Sequence, residues 1–240
     1  MHENNNVVLI VGKSATGKSS SLRNLSNPEG VLYQNCESNK RLPFKSKFKE
    51  VTVIDPLVVP ANIELLESRP DIHTTIIDTI TFMMDQYETN YVLTASNGMK
   101  AWGDYAQFFK KLMQHTVAAS TKNIIMMAHT MDVMNEAEMI NETLVKVKGS
   151  LMNTGVEAFF CNVIASKKLP ITKLRAYESE LLTFTEEEEL LGYKYVFQTK
   201  LTKDTVNERI RSPLGMWSTN EIYVNNDVQL VIDRLHKYFN

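Results

Sequence analysis

Eight residues near the start of the chain, Gly12-Lys13-Ser14-Ala15-Thr16-Gly17-Lys18-Ser19, match the pattern G-x-x-x-x-G-K-[ST]. Each fixed position has a physical reason. Gly12 and Gly17 permit a tight backbone turn and let main-chain amides approach a ligand with no Cβ in the way. The amides between them converge on anionic oxygens. Lys18 brings a mobile point charge to the β- and γ-phosphates of a nucleoside triphosphate. Ser19 offers a hydroxyl to the magnesium ion that bridges those phosphates. The expected nucleotide-binding stretch is Gly12, Lys13, Ser14, Ala15, Thr16, Gly17, Lys18, Ser19 and Ser20. Asp78 closes the apolar run Thr74-Thr75-Ile76-Ile77 as a Walker B aspartate does, so Ser19 and Asp78 form the expected magnesium pair. Thr79 adds a hydroxyl near the metal. A strand ending in Asp is common; the phosphate loop gives this one a role.

Such a loop works only between a strand and a helix, and the flanking residues supply both. Val7 to Val11 is short and β-branched, as a strand buried on both faces requires. Ser19 to Leu25 suits a helix whose dipole would add to the cradle. Asn27-Pro28-Glu29-Gly30 marks a turn. Further strands are expected at Val31 to Asn35, Val51 to Ile54, Thr74 to Asp78 and Asn123 to Ala128. Helices are expected over Pro60 to Ser68, with Ile63, Leu65 and Leu66 inward, and over Trp102 to Ser120. This alternation predicts an α/β fold with a mostly parallel central sheet covered by helices on both faces. Phe159 to Ala165 and Tyr193 to Leu201 read as later strands, the second alternating like a half-exposed antiparallel member. Glu178 to Glu189 is read as a solvated loop or helix face, and Asp227 to Phe239 as an amphipathic helix. The expectation is one domain spanning 1–240. It comprises a core of about residues 6–170 and a C-terminal antiparallel β extension of about 171–240.

The 240 residues carry 26 basic and 28 acidic side chains, a net charge of −2 that argues against a uniformly basic nucleic-acid binder but not against a local basic patch. No apolar run approaches the roughly 18 residues of a membrane span, and the polar start Met1 to Asn6 lacks the basic region of a secretory signal. Cys36 and Cys161 both sit among apolar residues and are read as free buried thiols in a reducing compartment; counting alone leaves a disulfide open. His2, His73, His115 and His236 have no partner at metal-ligand spacing, so no zinc site is expected. A nucleotide kinase would show an arginine-rich lid, and the seven arginines are scattered. Asn39-Lys40 lacks the aspartate of a guanine-reading element.

Three features resemble the RecA-like ATPase core: the early phosphate loop, Glu37 just past the second strand in Tyr33-Gln34-Asn35-Cys36-Glu37, and His129 at the end of Met126-Met127-Ala128-His129-Thr130. More narrowly the chain is similar to phage-encoded short RecA-like proteins of AAA type in the single-strand annealing and recombination group. Arg41-Leu42-Pro43-Phe44 and Arg209-Ile210-Arg211-Ser212-Pro213 carry that likeness. The resemblance implies a P-loop NTPase fold, ATP with magnesium, and slow hydrolysis stimulated by assembly or DNA. By the same likeness Lys18 and Asp78 hold the reacting phosphates and metal, Glu37 activates water and His129 senses the γ-phosphate. Arg209 or Arg211, assisted by Lys203, is the candidate finger acting on a neighbouring subunit. Each has a plainer alternative: a surface acid, a structural histidine, solvated charges.

The resemblance further implies single-stranded DNA as partner, together with an annealing or single-strand-binding protein. It also implies a homo-oligomeric ring or filament, no membrane, and the cytoplasm of a bacterial host. Loops after the fourth and fifth strands, Asn90 to Lys100 and Thr130 to Ser150, are the expected strand-facing segments. Lys146, Lys148, Lys167 and Lys168 suit phosphates, whereas Asp132, Glu136, Glu138 and Glu142 would repel them. The alternative is a regulatory nucleotide-binding module that controls a protein partner without touching DNA.

Overall fold

Alternate residues of the first strand, β1 (Val7–Gly12), enter different cores. Leu9 and Val11 pack on one face of the sheet with Ile63, Met83 and Phe109, while Val8 and Ile10 pack on the other with Leu22, Trp217 and Val231. All are buried, which is why the strand reads as an unbroken β-branched run. The computed structural model describes residues 4–38 and 40–239, so Met1 to Glu3, Asn39 and the readings that rest on them, His2 included, lie outside the described residues.

Eight further strands join β1. They are β2 (Val31–Asn35), β3 (Lys49–Thr52), β4 (Thr74–Asp78), β5 (Asn123–Asn135), β6 (Ile140–Val145), β7 (Val163–Pro170), β8 (Tyr193–Gln198) and β9 (Tyr223–Asn225). The order β3-β2-β4-β5-β1-β7 is parallel throughout, and β8 and β9 continue the sheet antiparallel, with β6 pairing β5 as a hairpin. Helices α1 (Val58–Leu66), α2 (Ile80–Tyr87) and α3 (Gly98–Lys111) bury their apolar sides on the first face. Short helices follow at α4 (Gly149–Thr154), α5 (Ile171–Leu174) and α6 (Glu186–Leu191), and α7 (Val228–Phe239) covers the second face with Val228, Val231, Ile232 and Leu235. The α/β class, the parallel core and the antiparallel extension are those expected.

The strand order places the chemistry. β5 lies between β1 and β4, in register Gly12 with His129, and β2 runs beside β4 with Asn35 opposite Asp78. The carboxyl ends of four parallel strands therefore meet at one edge, where open α/β sheets bind ligands.

Several local expectations are corrected. Ser19 to Leu25 is not an α-helix; a single 3-10 turn, Ser19–Leu22, follows the loop. Of the three successive serines, Ser21 competes for a backbone group, its Oγ donating to Lys18 O at 2.5 Å, while Ser19 Oγ turns to Asp78. Little helix dipole therefore reaches the cradle. Thr130 to Ser150 is not a flexible loop, because β5 continues to Asn135 and returns as β6. The segment Asn90 to Lys100 is partly helical, being the end of the π turn Glu88–Val92 and the start of α3. The strand expected at Phe159 begins only at Val163, and Val51 to Ile54 pairs two residues earlier, leaving Ile54 exposed. Leu65 points to solvent, and Cys161 is exposed rather than buried. Both cysteines are free. Among the described residues no helix is long and apolar enough to cross a membrane.

Candidate functional site

The phosphate loop connects β1 to the 3-10 turn with Ala15 at φ 60° and Gly17 at φ 92°. Gly12 is fixed by crowding. A Cβ there would lie 2.6 Å from the Ser166 carbonyl oxygen on β7 and 2.7 Å from Thr16 Oγ1. Gly12→Ala must push β1 from β7 and should cost about 1–3 kcal/mol, the usual range for overpacking. A lowered thermal midpoint together with weakened nucleotide binding is the expected readout; an unchanged midpoint would refute the crowding argument.

Lys18 is buried, and its ammonium donates to the carbonyls of Gly12 and Lys13, both at 2.9 Å. Those acceptors hold the side chain folded over the loop. Its third contact is His129 Nδ1 at 3.3 Å. His129 Nε2 in turn lies 2.9 Å from Glu37 Oε1, and Glu37 Oε2 accepts from Lys40 at 2.7 Å. A line of four side chains thus runs Lys18, His129, Glu37, Lys40. Its hydrogen-bond directions require the ring proton on Nε2, a tautomer assigned from the partners. His129 N donates to Thr81 Oγ1 at 2.9 Å, which anchors its main chain, and the ring meets Phe82 edge-on.

Asp78 is fully buried. Its Oδ2 accepts from Ser19 Oγ at 2.9 Å and from the Tyr33 hydroxyl at 2.8 Å. Its Oδ1 is buried with no partner among the described residues. An unused carboxylate oxygen beside a serine hydroxyl fits a hard divalent cation, and Ser19 and Asp78 would hold it. Thr79 does not join them: its hydroxyl caps α2, accepting from Phe82 N at 3.5 Å.

Burial dominates the electrostatics. It draws Lys18 down to about 8, against the pull of the Asp78 and Glu37 charges. It pushes Asp78 up, helped by the Glu37 charge and opposed by the Tyr33 and Ser19 hydrogen bonds and by Lys18. Burial also raises Glu37, but there the bonds from His129 and Lys40 win and leave the carboxyl at about 2.

The structure thus brings together Gly12 to Ser20, Glu37, Asp78 and His129. Ser14 to Ser20, Glu37, Arg41 and His129 line one cleft of about 190 Å³. Lys13 turns outward and pairs with Asp132 of β5 at 2.6 Å. Arg209 and Arg211 are elsewhere. Arg209 is half-buried between Glu142 and Glu157 of its own chain, at 3.4 and 3.5 Å, and Arg211 is exposed, its backbone paired with Val163. Lys203 is exposed in a turn. Sequence reasoning missed Tyr33 and Lys40. Tyr33 stands two residues before Asn35, the residue paired with Asp78, so it shares the face of Asp78 once register is known.

A phosphate loop and a buried acid with an open oxygen, on strands that β5 separates, define a P-loop nucleotide-binding site on an α/β fold. A family model described as "AAA domain" matches residues 4–153, and the chain belongs to that family. Among solved structures the chain is similar to a KaiC-like protein from the hyperthermophilic archaeon Pyrococcus horikoshii OT3. Identity is 13%, the TM-score 0.47, and the match covers 85% of this chain and 82% of that one. No curated protein matches the chain.

Proposed function

We propose that the protein is a magnesium-dependent ATPase that acts on single-stranded DNA in phage recombination or replication, assembled as a ring or filament. The observation that carries the ATPase part is the line Lys18, His129, Glu37 beside Asp78, which sets a cation, a histidine and a carboxylate around one cleft. Magnesium, when bound, supplies charge neutralisation for the phosphate oxygens. Lys18 leaves its carbonyl acceptors for the β- and γ-phosphates. Glu37, ionised at any physiological pH, is a poor proton acceptor and acts by accepting a hydrogen bond from the attacking water and aiming it. Phosphoryl transfer makes little demand on a base, so positioning suffices. With both ring nitrogens protonated, His129 can exchange the Nδ1 contact with Lys18 for donation to the γ-phosphate while Nε2–H stays on Glu37; it stands at the foot of the β5–β6 hairpin, giving hydrolysis a route to that arm.

Of the two candidate trans fingers, Arg211 is the freer. Its guanidinium makes no hydrogen bond or ion pair among the described residues, whereas freeing Arg209 would unpair Glu142 and the buried Glu157. The DNA part rests on resemblance and on the placement of the hairpin beside the nucleotide site.

One observation favours a second reading, a nucleotide-controlled arm for a protein partner. The exposed turn of the hairpin carries Glu136 and Glu138, while Lys148 is spent on Glu88 and Lys167 on Glu208. ATP turnover measured against protein concentration, with and without single-stranded DNA, separates the two. Stimulation by DNA that falls steeply with salt supports the first. No DNA binding at low salt, with turnover still rising with protein concentration, supports the second.

A further inference from the structure

The cleft over the phosphate loop, about 190 Å³, is too small for a whole nucleoside triphosphate. A second cavity of about 470 Å³ adjoins it, and the two share Ser20 and Pro43 as lining residues. The direction of a bound triphosphate follows from the first cleft. Lys18, His129 and Glu37 line its γ end, with Asp78 buried behind Ser19, so the α-phosphate points along the loop toward Ser20. The nucleoside then enters the second cavity.

That cavity has the character of a nucleoside site. Tyr195 of β8 presents its ring there and lies against the loop itself: a Cβ on Gly17 would meet its ring carbons at 3.1 and 3.3 Å. Pro43 and Phe44 supply further apolar wall, and Thr183 and Asn225 supply hydroxyl and amide groups. Its charged groups are already hydrogen-bonded: Lys194 pairs with Glu188 at 2.5 Å, Asp227 accepts from the Asn24 amide at 2.6 Å, and Arg23 donates to main-chain carbonyls. The wall is fastened to the loop. Asn226 Nδ2 donates to Ser166 Oγ at 3.2 Å, Ser166 Oγ donates to Thr16 O at 2.8 Å, and Arg23 Nη1 donates to the carbonyls of both Ser20 and Asn226 at 2.9 Å.

We propose that this cavity holds the nucleoside half of the substrate, with Tyr195 stacked on the base. The inference rests on the reading that the loop grips a triphosphate, and it deepens that reading. Tyr195, Thr183 and Asn225 all lie beyond residue 153, where the family match ends, so the C-terminal extension completes the site. Stacking reads a π face that every base possesses, which makes the site tolerant of the base it takes.

Calorimetric titration of the full chain with ATP and with inorganic tripolyphosphate, each with magnesium, tests this. The wild-type protein should bind ATP more tightly than tripolyphosphate. Tyr195→Ala should weaken ATP about tenfold, the scale of one lost aromatic stack, and leave tripolyphosphate unchanged, while Tyr195→Phe should restore ATP affinity. Phe44→Ala, at a partly exposed position, should shift ATP alone in the same direction and stands in if Tyr195→Ala does not fold. Equal losses for both ligands, or no loss for ATP, would overturn the subsite while leaving the phosphate cradle intact. Failure of the wild-type protein to bind either ligand would instead overturn the cradle.

Discussion

Lys18→Ala should lower ATP turnover by roughly 10²–10³-fold, the cost of removing one preorganised donor from a developing charge, and should abolish saturable ATP binding at millimolar concentration. Arg41 also lines the cleft, but it is exposed and stands outside the loop whose carbonyls hold Lys18. Lys13 faces the hairpin and is held by Asp132, and Lys40 is held by Glu37. The folded position of Lys18 also makes binding pH-dependent. Burial sets its ammonium at about 8 in the free protein, and a bound triphosphate must raise it. ATP affinity should therefore fall as pH rises past 8, with proton uptake on binding visible as heats that depend on the buffer's ionisation enthalpy. Fold stability should move the other way. Between about 8 and the ordinary lysine value the unfolded chain holds the proton that the folded chain has lost, so stability rises with pH there. Affinity that is flat from pH 7 to 9.5 would contradict the burial account of Lys18.

Glu37→Gln should reduce kcat by roughly 10²–10³-fold, the scale of losing a group that acts on the reacting atoms, with the KM for ATP near wild type. Glutamine keeps the shape and can still meet His129, but it loses the charge that aims the water. The structural cost is small, because the Lys40 ammonium left behind is 61% exposed and stays solvated. A fall in kcat alone supports the role of Glu37. A rise in KM with kcat unchanged would reassign Glu37 to holding Lys40 and the wall of the cleft.

Most of this site was legible because its residues sit where short strands end. Asp78 and Glu37 follow apolar runs whose limits the β-branched pattern marks, and β4 was read to the residue. His129 was legible as a position, although β5 does not end there: it continues to Asn135. The polar residues Thr130, Asp132 and Asn135 and the acidic turn at Glu136 to Met139 masked a strand whose partner, β6, supplies the pairing that residue types alone do not announce. The serines after the phosphate loop illustrate a different failure. The loop pattern promises a helix, but Ser21 spends its hydroxyl on the Lys18 carbonyl, Ser19 turns its hydroxyl to Asp78, and the turn closes after four residues. Tyr33 and Tyr195 stayed hidden because each matters only through a contact across strands or between distant segments, whereas Lys40 lies three residues from Glu37 in a loop that no periodic pattern describes. Tyr33 reaches Asp78 through the β2–β4 register, and Tyr195 reaches Gly17 through the β7–β8 antiparallel pair.

Binding of ATP with magnesium to the intact chain, followed by calorimetry beside Lys18→Ala, is the most direct measurement. One saturable ATP per chain, lost in the variant and weakened when magnesium is withheld, is the predicted result. Heats indistinguishable from dilution for the intact chain at millimolar ATP and GTP, or equal binding by the alanine variant, would contradict it.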